Sequence, residues 1–92
     1  MTDSEKTKKL LAIAGKHPAV HEPIIAALEA HRREGLTIAA SGVTRDEKLE
    51  RIGWLETTTY VRVLRLIVNA GIVVPPELLE PGEEVRRVSN RR

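Results

Sequence analysis

Polar side chains able to contact nucleic acid recur along residues 57–70. Thr57 and Thr58 stand near the start of this stretch, and Arg62 and Arg65 follow, three residues apart. Hydroxyls at a helix N-terminus can contact a phosphate or a base edge, and an arginine can clamp phosphate or pair with guanine. The pattern favours contact with duplex DNA. The alternative is a solvated helix face that carries two arginines.

The sequence gives little support for a catalytic site or a metal site. The chain has no cysteine, and its three histidines do not form a triad with a nucleophile. His17 and His21 stand four residues apart, a spacing that can hold a metal on a helix, but Pro18 and Pro23 bracket them. We therefore expect no enzyme activity, no cofactor and no metal site.

Size and charge suit one small domain. The chain has 92 residues and a net charge of +2, and the charge is spread so evenly that no domain-wide basic field results. No apolar run approaches the length of a membrane span, and the polar start lacks the features of a signal peptide. These observations predict a cytoplasmic protein without membrane contact.

Capping signals define the first helix. Thr2 and Glu5 have the spacing of a capping box and Gly15 supplies a stop, which predicts a helix over 3–14. This helix precedes the motif described below, so we expect it to act as a dimer element. Three lysines are expected on its solvated face, with a phosphate contact as the alternative: Lys6, Lys8 and Lys9.

The next segments are predicted to be a helix and a short strand. Pro23 suits the first position of a helix, and apolar residues at helical spacing predict a helix over 23–34 that ends at Gly35. The apolar residues 36–40 are too short for a periodicity test, and we interpret them as a strand.

A helix-turn-helix is predicted next. Thr44 and Glu47 form a second capping box, and the short helix that they start breaks at Gly53. The Trp54 side chain is expected to fill the core between this helix and the following one, which covers 57–70.

Glycine and proline signals predict the end of the motif. Gly71 should end the long helix in a Schellman motif, with Ile72 contacting Ile67. Residues 72–74 and 84–89 are then expected to pair as the strands of a hairpin.

Two phrases of the sequence resemble a known family. HPAVHEPIIAALEAHRREGLT resembles the opening helix, and LETTTYVRVLRLIVNAGIV the recognition helix, of winged helix-turn-helix domains in small ArsR/MarR-like transcription regulators of prokaryotes. The resemblance implies a mainly α fold with a small β-hairpin (α+β) and an extra N-terminal helix. The expected organisation is a helix over 1–15, a winged-helix domain over 16–89 and a basic tail over 90–92.

The function implied by the resemblance is sequence-specific binding of double-stranded DNA in transcription control, by a homodimer. The long helix would enter the major groove, supported by the preceding helix and the wing. The expected DNA contacts are Thr57, Thr58, Arg62, Arg65, Arg45, Lys48, Arg86 and Arg87.

Acidic residues in the wing loop favour a different partner. Carboxylates at a wing tip would repel phosphate, so the loop is a candidate surface for a protein. The alternative hypothesis is therefore a protein-interaction adaptor, or a subunit of a transcription or replication complex. The acidic residues concerned are Glu77, Glu80, Glu83 and Glu84.

Overall fold

A computed structural model describes residues 1–79, which form four α-helices and one 3-10 turn. The elements are α1 (Asp3–Ala14), the turn Pro18–Val20, α2 (His21–Ala40), α3 (Arg45–Asn69) and α4 (Pro76–Leu79). No strand occurs within these residues. The predicted α+β winged helix is therefore wrong, and the described part of the chain is all-α. None of its helices is long and apolar enough to cross a membrane.

The predicted bounds of α1 are confirmed. The Thr2 side chain accepts a hydrogen bond from the Glu5 amide at 3.2 Å, which satisfies one of the free N–H groups of the first turn. The helix ends at Ala14, and Gly15 caps it by donating to the Leu11 carbonyl.

Helix α2 does not stop at Gly35, and the strand predicted over 36–40 is wrong. Glycine costs a helix about 1 kcal/mol relative to alanine, which tertiary packing can offset. Gly35 lies close to α3, since a Cβ atom there would be 3.9 Å from the Leu55 side chain. Ile38 is half-buried one turn later, and the helix ends where the Ser41 amide donates to its carbonyl.

Helix α3 replaces the predicted helix-turn-helix. The Thr44 cap is confirmed, because its side chain accepts from the Glu47 amide at 3.2 Å. The expected break at Gly53 does not occur, and α3 continues through it as one helix of 25 residues. The Trp54 side chain does not fill the core as predicted, since it is 53% exposed. A glycine in mid-helix is permitted here because residues on both sides of it pack against α2.

The end of α3 follows the predicted Schellman motif. Gly71 has a φ of +79°, and the Ile72 amide donates to the Ile67 carbonyl at 3.3 Å. Residues 72–74 are not a strand, because they are bonded to no neighbouring strand in the described chain. The partner strand predicted over 84–89 lies outside the described residues.

The core lies where α1 and α2 both pack on the second half of α3. Its largest fully buried side chains are Leu10 of α1 and Val63 and Ile67 of α3. Tyr60 joins α4 to this core by donating a hydrogen bond to the Leu78 carbonyl. Burial, and secondarily the charge of Asp3, raise the pKa of Tyr60 above its ordinary value.

A buried polar cluster holds α1 against α3. Lys6 was expected on a solvated face with Lys8 and Lys9, but it is only 4% exposed. Its ammonium lies 3.7 Å from the Asp3 carboxylate and 5.3 Å from the centre of the Tyr60 ring. This expectation was wrong for Lys6 because the helical pattern of α1 places it on the same side as the apolar residue Leu10.

Two glycine substitutions test the continuity of α3. Gly53→Ala should raise the free energy of unfolding by about 0.5–1 kcal/mol, because Gly53 is helical and a Cβ atom there meets nothing within 4 Å. Gly71→Ala should lower it by about 1 kcal/mol, because alanine is strained at positive φ. Urea unfolding followed by circular dichroism measures both. Equal destabilisation by the two variants would contradict a continuous helix.

Candidate functional site

Helix α1 covers only the second half of α3. Asp3, the first residue of α1, accepts a hydrogen bond from the Thr57 hydroxyl at 2.6 Å. Three residues later, Lys6 lies over the ring of Tyr60. The two helices therefore run in the same direction, and α1 begins level with Thr57. The half of α3 that precedes Thr57 has α2 on one side and no α1 on the other.

A small pocket marks the place where α1 begins. It has a volume of about 120 Å³ and lies between the three long helices. His31 and Thr59 share a hydrogen bond of 2.6 Å between ring nitrogen Nδ1 and hydroxyl Oγ1. Within residues 1–79, no third group hydrogen-bonds the other ring nitrogen, as an imidazole that activates a nucleophile would require. The lining residues are Ser4, Thr7, Lys8, Leu28, His31, Glu56 and Thr59.

From this pocket towards its N-terminus, α3 presents a row of side chains over which α1 does not extend within the described residues. We call this row the open seam, and its last member lines the pocket. The open seam consists of Arg45, Leu49, Ile52 and Glu56, at successive spacings of four, three and four residues. A helix turns by 100° per residue, so the four side chains lie within about 60° of one another. In the second half of α3, the same side of the helix carries the buried Val63. The open seam is thus the continuation of the core-facing side of α3 in the turns that precede the start of α1.

The open seam is apolar in the middle and charged at its ends. Leu49 is 57% exposed and Ile52 is half-buried. Among the described residues, neither Arg45 nor Glu56 forms an ion pair. The surface therefore offers apolar contact between two charges of opposite sign.

Helix α2 contributes an exposed apolar residue near the same end of the α2/α3 pair. Leu36 is 60% exposed, whereas Gly35, which precedes it, faces the Leu55 side chain of α3. On α3, Gly53 is half-buried, and a Cβ atom there would meet nothing within 4 Å. On α3, the exposed Leu49 therefore stands one turn from a position that carries no side chain, a relief into which another helix can pack.

Of the expected DNA contacts on α3, some side chains are exposed and others are engaged within the molecule. Arg62, Arg65 and Thr58 are exposed, and no described residue forms an ion pair with either arginine. Thr57 is half-buried, and its hydroxyl is occupied by Asp3. The Thr58 hydroxyl donates to the Trp54 carbonyl of its own helix. The two arginines remain together on one face, and Thr57 belongs to the α1 contact.

The contacts expected from the preceding helix lie on α3 itself. Arg45 is the exposed first residue of α3. Lys48 is half-buried, and its ammonium donates to the Ala39 carbonyl at 3.0 Å, which ties the start of α3 to the end of α2. Arg86 and Arg87 lie outside the described residues.

The acidic surface expected at a wing is described only in part. Glu77 is exposed in α4. Glu80, Glu83 and Glu84 lie outside the described residues.

Sequence reasoning missed the open seam and the buried cluster around Lys6. The break predicted at Gly53 separated Leu49 and Ile52 from Glu56 and from the rest of the helix. Continuing the pattern through Gly53 to Glu56 would have revealed a single helix with one long core-facing side. Nothing local distinguished Lys6 from Lys8 and Lys9 except its position one turn before Leu10.

Comparisons with protein-family models, with curated proteins and with solved structures found no match for the chain.

A matched pair of threonines tests the division of the predicted contacts. Thr57→Val should lower the free energy of unfolding by about 1–2 kcal/mol, because it removes a hydrogen bond to a largely buried carboxylate. Thr58→Val keeps a β-branched residue at an exposed position and should change it by less than about 0.5 kcal/mol. Thermal or urea unfolding measures both, and equal effects would contradict a structural role for Thr57.

Proposed function

We propose that the chain is a protein-interaction module that binds a helix through the open seam. The observation that carries this proposal is that, in the part of the chain that the structure describes, α1 does not extend over the first half of α3, where Leu49 and Ile52 continue the core-facing side of the helix. This is the second of the two hypotheses formed from the sequence, moved from the acidic residues of the predicted wing loop to a different surface.

The exposure of apolar side chains supports the proposal. Single exposed apolar residues are ordinary, whereas a group of them on one side of a molecule marks an interaction site. Leu36 and Leu49 lie on neighbouring helices near the same end of the α2/α3 pair. Helical seams with spacings of four and three residues are the surfaces that pack on other helices.

A photo-crosslinking experiment tests the proposal. A light-activated phenylalanine analogue in place of Leu49 should form a covalent adduct with a protein in cells that express the chain. The same analogue in place of Val73, which is 89% exposed but outside the open seam, is the control and should form none. Mass spectrometry identifies the adducts. Absence of any adduct from position 49, or equal adducts from both positions, would contradict the proposal.

DNA binding stays as the second candidate function. Arg62 and Arg65 are exposed, one turn apart, without an acidic partner among the described residues. Such a pair can bind phosphate without a helix-turn-helix, because phosphate contacts depend on charge more than on the fold.

A gel shift at low salt tests this second candidate. Binding to random duplexes should weaken as salt rises, and Arg62→Ala combined with Arg65→Ala should weaken it by about tenfold or more. Arg32→Ala combined with Arg33→Ala removes the same charge from α2 and is the control. Binding that persists in the α3 double variant would exclude this face as the DNA contact.

A further inference from the structure

We infer that the partner of the open seam is a second copy of this chain, packed antiparallel to the first. This inference rests on the proposed function and names the occupant of the surface. Three features of the open seam carry it: the order of its charges, its relief and its place at the end of the intrachain helix packing.

The order of charges is self-complementary only in one orientation. Arg45 and Glu56 stand at the two ends of the open seam, with Leu49 and Ile52 between them. In an antiparallel pair related by a two-fold axis near residues 50 and 51, Arg45 of each copy faces Glu56 of the other. In the same arrangement, Leu49 of each copy faces Ile52 of the other. A parallel pair in register would instead place arginine against arginine and glutamate against glutamate, which is repulsive.

The relief of the surface fits a copy of itself. A two-fold interface uses the same patch on both subunits, so large side chains of one copy must meet gaps in the other. Leu49 projects from α3, and Gly53, one turn further along the same helix, leaves that position without a side chain. Both kinds of position occur on the same patch, as a two-fold contact requires.

Continuity with the core explains why the first half of α3 remains available. Within one chain, α1 covers the core-facing side of α3 from Thr57 onward. A second chain would cover the remaining turns, over about 18 Å of helix. So short a contact belongs to the class of small, reversible interfaces. We therefore expect an equilibrium between monomer and dimer with a dissociation constant in the micromolar range.

Charge reversal in analytical ultracentrifugation tests the inference. The unaltered chain should show reversible dimers whose fraction rises with concentration. Arg45→Glu and Glu56→Arg should each weaken the dimer by about tenfold, because each creates two like-charge contacts. An equimolar mixture of the two variants should dimerise again, because an all-acidic seam then faces an all-basic one. A single chain that carries both substitutions should also recover.

Matched controls separate this effect from a change in net charge. Arg62→Glu and Glu50→Arg reverse the same charges at exposed positions of α3 outside the open seam and should leave the dimer unchanged. Recovery in the mixture also shows that each single variant is folded.

The outcomes distinguish this inference from the proposed function. A chain that stays monomeric up to about 1 mM, far above the expected range, overturns the inference, as does a mixture that fails to recover. In either case, an adduct from position 49 to a different protein would leave the proposed function standing. An adduct between two copies of the chain supports both.

Discussion

The buried charge of Lys6 sets the arrangement of the helices. An ammonium inside a protein needs a counter-charge and polar neighbours, and removing a partner from a buried ion pair costs about 3–5 kcal/mol. Here the neighbours are Asp3 on the same helix and the ring of Tyr60 on α3. Asp3 in turn receives the hydroxyl of Thr57. Sliding α1 by one turn along α3 would break the Lys6–Tyr60 and Asp3–Thr57 contacts. The cluster therefore specifies one register of α1 against α3.

That register has a consequence at the other end of α3. With Asp3 level with Thr57, a helix of only 12 residues cannot reach the first half of a helix of 25. Within the described residues, only α2 and α3 therefore pack together at this end. The open seam exists because the cluster around Lys6 holds α1 at the opposite end of α3.

The two surfaces of α3 lie on different sides of the helix. At 100° per residue, Arg65 lies about 140–160° from Leu49 and Ile52 around the helix, and Arg62 lies about 80–140° from them. A partner on the open seam would therefore leave the arginines accessible. The two candidate functions thus involve separate sets of residues, and substitutions in one set do not alter the other.

Local sequence signals predicted where the helices begin and end better than they predicted whether a helix continues through a glycine. The caps at Thr2 and Thr44 and the glycine at position 71 were predictable because each depends on a few neighbouring residues. Gly35 and Gly53 were misread as breaks, because whether a helix continues through a glycine depends on the packing of residues around it. The winged-helix resemblance relied on those two breaks and on strands that the described residues do not contain.

The sequence by itself therefore determined the first helix, the starts and stops set by capping, and the exposed pair Arg62 and Arg65. Only the tertiary structure decided that α3 is continuous, that Lys6 is buried and that Thr57 serves the α1 contact. The physical reason is the same in each case: burial and pairing depend on which helix lies opposite a residue. For this chain, that is decided by the register between α1 and α3, which no local pattern encodes.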